Sequence, residues 1–499
     1  MDDLSAGSRA TPEASATRAH HRRILLLMAG LLLSATLLYF YDLGGKSLGA
    51  SEAYSALAAG QPDAGAVIRT ALRFDPGTPP LYHLLLHWFC AAFGRGELSL
   101  RGFSAIWGIA DLLMLFVLGG ELFSAETALA AALIWAFNPF AIVLAQWARM
   151  YSMLIALSIG QLAILWRLRQ RTTAAGVLAC GVAGAAMLYT HLGAILLLGA
   201  EAAMLARGSL RRREGAAWSA LGITLVLFLP FVPVAFTQFH RILFGHWYDW
   251  IGTAHSGSTV FNTAVVVATS GLVLGLILGP RFESDPQEPI RWCATWLTIP
   301  ILALTAGSVV VRPMFEARYV AASAPALTLL IARGLAAFGP RLRNLVTAGF
   351  VTAFLVMFPF FHRTQGECWR EMVQQVATGG SPAEPVFFES GFFLSDSSAT
   401  QDRQEGFPDG FFRVPFDYYF SGLNPRRAID PFAPETSRDA IARAALLTGG
   451  AWLISGRSDA LARSEMPATQ GLRIDLTLKS GSARLYHILA LPAPESPRK

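Results

Sequence analysis

The chain has 499 residues, of which 53% are hydrophobic and only 15% are charged. Soluble domains carry about a quarter charged residues, so this composition excludes an ordinary soluble protein and favours a membrane protein. The formal net charge of +6 does not indicate a nucleic-acid partner, because the basic residues cluster in short loops between apolar runs, as the positive-inside rule expects.

The chain begins with residues 1–23, which are rich in Ala, Ser and Thr and are predicted to form a disordered cytoplasmic N-terminus. The apolar run 24–41 follows RAHHRR and lacks a small-residue cleavage site, so we interpret it as a retained transmembrane helix. Ten further apolar runs of roughly spanning length complete a transmembrane domain at 24–362. They are 101–122, 125–146, 149–167, 174–190, 191–206, 216–237, 259–279, 292–311, 319–336 and 343–362.

One apolar run, 79–93, is too short to cross the membrane. Its 15 residues reach only about 22 Å as a helix, whereas the hydrocarbon core is about 30 Å thick. If it does not span, the basic loops 167–171, 207–213 and 341–343 share the side of the N-terminal HHRR, as the positive-inside rule requires. We therefore predict an interfacial helix at 79–93, within a first extracytoplasmic loop that covers residues 42–100.

Residues 363–499 are predicted to form a small extracytoplasmic α/β domain. WREMVQQVA is typical of a helix, PVFFES and AWLIS are typical of strands, and LRIDLTL with ARLYHILAL indicates a closing hairpin. Because no Gly-rich phosphate loop of a recognised spacing occurs here, a lid or partner-binding module is favoured over a second active site.

Two carboxylates and a histidine lie in the predicted first loop. Glu52 is either a first-turn carboxylate favoured by the helix dipole or a general base at the membrane surface, and Asp75 is either a turn residue or a second such carboxylate. His83 and His87 share a helix face, but HLLLH lacks the glutamate of the zinc pattern H-E-x-x-H. A polar stripe is favoured, and no metal is predicted.

Three arginines lie at predicted outer helix ends, where the positive-inside rule expects few basic residues. Arg101, Arg149 and Arg318 are either ordinary helix anchors or, if at least one is functional, ligands of a phosphate group. Tyr151 and Tyr319 are close to two of these arginines in sequence and can donate hydrogen bonds to the same oxygens.

Five segments resemble motifs of bacterial GT-C glycosyltransferases, which are relatives of the protein O-mannosyltransferases and of the aminoarabinose transferases of lipid A. SLGASEAYS resembles S-L-W-x-D-E-A-x-S/T, and TPPLYHLLLHWF resembles H-P-P-L-Y-x-L-L-x-x-x-W. LRGFSAIWG resembles L-R-x-x-S-A-x-x-G, AQWARMYSML resembles x-Q-E-A-R-M-Y-S-L-L, and FEARYVAASAPAL resembles R-Y-x-x-x-x-x-P. The matches keep the family order between residues 47 and 333.

The resemblance implies a GT-C fold and the inverting transfer of a sugar from a polyprenyl-phosphate donor to an extracytoplasmic hydroxyl of a glycan, lipid or protein. No cofactor is required, because the sugar arrives activated on lipid. The resemblance also implies a multi-pass protein of the bacterial inner membrane. In this interpretation Glu52 is the base, Asp75 assists it, and Arg149, Arg318 and Arg101 face the lipid phosphate.

Three positions depart from the family pattern. Ser51 stands where the family has aspartate, Thr78 replaces a histidine, and Trp147 replaces a glutamate. Ser51 and His83 are therefore only candidate residues of the acceptor loop. Two interpretations stay open: either Glu52 or Asp75 carries the base role, or the chain is a catalytically weakened relative that binds lipid-linked sugar or a partner protein.

Overall fold

A computed structural model describes most of the chain. The described residues are 12–75, 77–207, 214–244, 287–311, 314–336, 339–364, 367–381, 383–389, 410–420, 438–456, 471–480 and 483–491. Within them the first helices are α1 (Pro12–Tyr39), α2 (Ala50–Ala59), α3 (Ala64–Phe74), α4 (Leu81–Phe93), α5 (Glu97–Leu122), α6 (Ala125–Ala136), α7 (Pro139–Ala145), α8 (Tyr151–Gln170) and α9 (Ala174–Thr190). They continue with α10 (Ala194–Arg207), α11 (Glu214–Phe228), α12 (Val232–Phe244), α13 (Gln287–Val310), α14 (Ala324–Ala336), α15 (Pro340–Thr364), α16 (Trp369–Thr378), α17 (Gly410–Phe420) and α18 (Arg438–Thr448).

Two compact units divide these elements. Unit 1 contains the described residues within 1–41, 102–233 and 257–359, and it holds the long apolar helices. Unit 2 contains the described residues within 42–101, 234–256 and 360–499. The sequence grouped the first loop with the transmembrane domain, whereas the structure packs it into one unit with the C-terminal part.

Seven of the eleven predicted spans are helices long and apolar enough to cross a membrane. In the part of the chain that the structure describes, these are Arg18–Tyr39, Glu97–Leu122, Tyr151–Gln170, Glu214–Arg241, Gln287–Val310, Ala317–Ala336 and Pro340–Pro359. The predicted spans 174–190 and 191–206 are shorter apolar helices, and the predicted span 259–279 lies outside the described residues.

The predicted span 125–146 is not one straight helix. It is a pair, α6 and α7, bent by 68°. Pro139 lacks an N–H and disfavours helical backbone at the residue before it, so α6 ends there. Asn138 then caps α7, because its Oδ1 accepts a hydrogen bond from the Phe140 amide at 2.9 Å.

The first helix extends further towards the N-terminus than the predicted span 24–41. Helix α1 begins at Pro12 rather than near residue 24, and the disorder expected for residues 1–23 stays a prediction. Proline is well tolerated in the first helical turn, and the Ala, Glu and Arg residues that follow are strong helix formers.

The C-terminal part of unit 2 contains a four-stranded sheet with helices on both faces. The strands are β1 (Val386–Glu389), β2 (Gly450–Ser455), β3 (Leu472–Ser480) and β4 (Ala483–Ala490), in the order β1-β2-β4-β3. β1 runs parallel to β2, and the other pairs are antiparallel. Side chains of β2 alternate between two cores: Trp452 packs with α16 and α17, and Leu453 packs with α18. The helix, two strands and hairpin predicted for this region are confirmed.

Helix α4 corresponds to the doubtful apolar run 79–93. It has 13 residues, about 20 Å at 1.5 Å per residue, which is short of a 30 Å hydrocarbon core. Its packing belongs to unit 2. Its position at the membrane surface stays a prediction.

Candidate active site

The carboxylate of Glu52 forms a buried ion pair with Arg101 in unit 2. Arg101 Nε donates to Glu52 Oε1 at 2.8 Å and Nη2 donates to Oε2 at 2.7 Å, and the two side chains are only 7% and 4% exposed. Glu52 is the third residue of α2, so its Oε2 also reaches back to accept the N-cap amide of Gly49 at 2.7 Å. Both oxygens of this carboxylate therefore accept hydrogen bonds from the protein.

Arg101 has no donor left for a phosphate without breaking protein contacts. Besides the two bonds to Glu52, Nη1 donates to the carbonyls of Leu43 and Lys46, and Nη2 donates to that of Ser47, each at 2.8 Å. A guanidinium has five N–H donors, and all five are used. Arg101 holds the segment that precedes α2, and its contact with a lipid phosphate stays a prediction.

In the structure the Glu52 carboxylate is bound by protein groups, and its assignment as the general base stays a prediction. A base must come within hydrogen-bond reach of the hydroxyl that it deprotonates. Glu52 is 3% exposed, and its oxygens are occupied by Arg101 and by the Gly49 amide. The pair is a positioning device for the start of α2.

A second carboxylate, which the sequence analysis missed, lies at the same helix start. Glu367 Oε2 accepts a hydrogen bond from the Ala50 amide at 3.1 Å and another from the Trp369 indole. A Cβ placed on Gly49 would lie 3.7 Å from Glu367 Oε1 and 3.6 Å from Glu52 Oε2, so both carboxylates border this glycine. Ala50 and Glu367 are 317 positions apart, and no local pattern signals their meeting.

Burial raises the pKa of the Glu367 carboxyl above its ordinary value. Hydrogen bonds from the Trp369 indole and the Ala50 amide oppose this effect, while the negative charge of Glu52 adds to it.

Other C-terminal residues hold the first loop in place. The Leu48 amide donates to Tyr419 Oη at 2.6 Å, and the Tyr419 hydroxyl donates to Glu97 Oε1 at 3.1 Å. Arg370 forms an ion pair with Glu97, and an isolated β-bridge joins Ser47 to Glu367. The segment around Ser47 and Leu48 is therefore fixed by α16 and α17.

The remaining first-loop candidates also lie in unit 2. Asp75 follows α3 and is 8% exposed, and its carbonyl accepts the Thr78 amide at 3.0 Å. His83 is 1% exposed on α4 and packs edge-on against Tyr82. Ser51 is a half-buried residue in the first turn of α2. Within the described ranges, no three or more His, Cys, Asp and Glu side chains are grouped to hold a metal ion.

In unit 1, four rings and one guanidinium form a closed cycle, which we call the Arg318 cluster. Its members are Trp147, Tyr151, His191, Tyr319 and Arg318. Trp147 stacks on Tyr151 at 5.4 Å, Tyr151 lies 6.0 Å from His191, and His191 lies 5.9 Å from Tyr319, all between ring centroids. The Arg318 guanidinium closes the cycle, 5.6 Å from the Trp147 centroid and 5.3 Å from the Tyr319 centroid.

Three separate breaks between helices supply this cluster. Trp147 lies between α7 and α8, His191 follows α9, and Arg318 lies in the 3-10 helix Ala317–Ser323. The structure thus brings together three residues that the sequence predicted, Tyr151, Arg318 and Tyr319.

Arg149 lies in the same α7–α8 connection as Trp147. It is 6% exposed, and its carbonyl accepts the Ser104 hydroxyl at 3.1 Å. Its amide donates to the Trp147 carbonyl at 2.6 Å. These bonds fix the backbone that carries both side chains.

His191 is a second residue that the sequence analysis missed. The Gly193 amide donates to His191 Nδ1 at 2.9 Å, and an amide N–H can only donate, so Nδ1 carries no proton. The neutral ring must then carry its proton on Nε2. The signal in the sequence was a lone histidine at the junction of two apolar runs.

The chemistry of the Arg318 cluster suits an anion. It combines a permanent cation, two phenol hydroxyls and an imidazole N–H, which are hydrogen-bond donors for phosphate oxygens. Trp147 occupies the position of the family glutamate and presents an aromatic face to Arg318, and Glu316 supplies a negative charge near the same guanidinium.

The fold and part of the sequence match known proteins. The sequence model of a family described as dolichyl-phosphate-mannose-protein mannosyltransferase matches residues 77–236. A comparison with curated protein sequences finds no match.

Among solved structures, ArnT from Cupriavidus metallidurans in the apo state is 16% identical, with a TM-score of 0.58, over 95% of this chain and 100% of that chain. ArnT from the same organism bound to undecaprenyl phosphate is 15% identical, with a TM-score of 0.57, over 93% of this chain and 99% of that chain. The predicted GT-C fold with a small C-terminal α/β part is confirmed, as is the resemblance to GT-C glycosyltransferases.

Proposed function

We propose that this protein is a membrane glycosyltransferase that moves a sugar from a polyprenyl-phosphate donor to a hydroxyl group of an extracytoplasmic acceptor, with inversion at the anomeric carbon. The observation that carries the proposal is the Arg318 cluster, a cation ringed by aromatic groups at three helix breaks. The family match at 77–236, which includes Trp147, Tyr151 and His191, supports it.

The donor phosphate is proposed to bind at the Arg318 cluster and Arg149. Arg318 and Arg149 supply positive charge, and Tyr151, Tyr319 and His191 supply hydrogen-bond donors. The negative charge on the lipid phosphate grows as its bond to the sugar breaks, so groups that favour an anion bind the transition state more tightly than the ground state. No cofactor is required in this scheme.

The acceptor roles fall to unit 2. The Glu52–Arg101 pair keeps the start of α2 in shape, and Asp75, Ser51 and His83 are proposed to orient the acceptor hydroxyl. The acceptor is a glycan, a lipid or a protein. We place the protein in the bacterial inner membrane, with residues 42–100 and 363–499 on the extracytoplasmic side.

The proposal is tested with the full chain in lipid nanodiscs. Polyprenyl phosphates carrying labelled mannose, glucose or aminoarabinose are supplied with bacterial membrane extract as acceptor, and release of free polyprenyl phosphate is measured. Arg318→Gln is expected to lower kcat/KM by about 100-fold or more, the usual effect of removing one group that stabilises developing negative charge.

Arg341→Gln is the matched control. Arg341 is an exposed arginine in the first turn of α15, and this variant should keep the native rate. Absence of release from all three donors by the native protein, or equal rates for Arg318→Gln and the native protein, would contradict the proposal.

A further inference from the structure

We propose that Glu367, contributed by the C-terminal part of the chain, is the catalytic residue that takes the proton from the acceptor hydroxyl. This inference rests on the proposed glycosyl transfer and names the base of that reaction. It also gives the C-terminal part a catalytic contribution.

The two carboxylates at the start of α2 differ in what their oxygens do. Glu52 has both oxygens bound by Arg101 and the Gly49 amide, and it is buried. Glu367 is only partly buried. Its Oε2 accepts two hydrogen bonds, and no hydrogen bond reaches its Oε1 from the residues that the structure describes. Glu367 is therefore the carboxylate of this pair with an oxygen left to accept a proton.

Glu367 lies next to the position at which this chain lacks the family aspartate. The resemblance places that acid at Ser51, and a serine hydroxyl cannot act as a base near neutral pH. Glu367 binds the amide of Ala50, the residue immediately before Ser51. A carboxylate thus returns to the same turn of the chain from a distant part of the sequence.

The surroundings hold Glu367 in a fixed orientation. Trp369, which donates its indole N–H to Oε2, is 1% exposed and belongs to the core between α16, α17 and the sheet. The β-bridge between Ser47 and Glu367 fixes the backbone. Two fixed donors on Oε2 leave the carboxylate one orientation for Oε1, as a positioned base requires.

The proposed step forms one bond, breaks one bond and moves one proton. The acceptor oxygen forms a bond to the anomeric carbon, and the bond between that carbon and the phosphate oxygen breaks, with its electron pair leaving on the lipid phosphate. The acceptor proton moves to Glu367 Oε1 and is later released to water. The raised pKa of Glu367 favours this role, because a base is most effective when its pKa lies near the working pH.

Glu367→Gln separates catalysis from structure. The glutamine oxygen can still accept the hydrogen bonds of the Ala50 amide and the Trp369 indole, but the side chain can no longer take a proton. With the donor that the native protein uses, kcat is expected to fall by about 100- to 10,000-fold, the usual contribution of a general base. Binding of undecaprenyl phosphate, measured by fluorescence titration in nanodiscs, should stay within about threefold.

The matched control is Glu371→Gln. Glu371 is an exposed carboxylate two residues into α16 whose Oε2 accepts the Ser47 hydroxyl, and its variant should turn over at the native rate. Native turnover in Glu367→Gln would overturn this inference while leaving the proposed function intact. Loss of lipid-phosphate binding together with turnover would assign Glu367 a structural role and would also overturn it. An inactive native protein would instead refute the proposed function, and this inference with it.

Discussion

Replacing Arg101 by methionine should release the segment before α2 while the rest of the fold survives. Arg101 makes two charge-assisted bonds to Glu52 and three bonds to main-chain carbonyls of residues 43–47. Methionine keeps much of the apolar stem but leaves Glu52 buried without its cation. Breaking a buried ion pair by removing one partner costs about 3–5 kcal/mol.

This cost predicts a large local effect on hydrogen exchange. An opening free energy lower by about 3 kcal/mol corresponds to exchange that is faster by a factor of about 100 or more, since about 1.4 kcal/mol is tenfold. Hydrogen–deuterium exchange with mass spectrometry on peptides covering residues 43–55 measures it. Peptides from the strands β2 and β4 provide an internal reference, because they belong to a separate part of unit 2's core.

Two variants sharpen the result. Arg95→Met removes an exposed arginine from the same loop and should change exchange by less than about threefold, because surface substitutions stay within about 0.5 kcal/mol. In Arg101→Met/Glu52→Gln the buried charge is gone, so the double variant should be less destabilised than the sum of the single variants. Exchange in Arg101→Met that stays within about threefold of native would refute the reasoning.

Two further outcomes follow from the same site. The folded-state pKa of Glu367 is raised above its unfolded value, so the native protein loses stability as pH rises through the unfolded pKa towards the folded pKa. Glutamine does not ionise, so the apparent Tm of Glu367→Gln should rise relative to that of the native protein between pH 4 and pH 8. Thermal unfolding in detergent measures the difference, and a Tm difference that shrinks with rising pH would contradict the prediction. Ser51→Asp restores the family acid, so in the Glu367→Gln background it should raise turnover at least about tenfold by supplying a base. The gain should be smaller in the native background, where Glu367 is present. Release of polyprenyl phosphate measures both effects, and equal gains in the two backgrounds would contradict the base role of Glu367.

Local pattern was sufficient for the elements of the fold. Length and hydropathy identified seven long spans because a helix that crosses lipid must be apolar over about 20 residues. Short apolar segments rich in strand-forming residues identified β2 and β4, whose side chains enter two different cores. The bend between α6 and α7 was missed because hydropathy continues through Asn138 and Pro139, although that dipeptide is itself a signal for a break.

The site was only partly predictable, because its decisive contacts are not local. The sequence marked Arg101, Arg149 and Arg318 as equivalent arginines at outer helix ends. Arg101 differs from the other two because its guanidinium binds three main-chain carbonyls of residues 43–47. These carbonyls come together only when the loop has folded. Glu367 had no motif around it, and its relevance arises only from the packing of α16 against the first loop.

Two departures from the family pattern each replace an acid by an uncharged residue, one in unit 1 and one in unit 2. In unit 1 Trp147 stands at the position of the family glutamate and presents an aromatic face to Arg318, while the negative charge of Glu316 acts on the same guanidinium. In unit 2 an aspartate is replaced by Ser51, but Glu367 brings a carboxylate to the adjacent amide. A carboxylate bound to the amide next to Ser51 supports the proposed transfer reaction, in which Glu367 takes the acceptor proton.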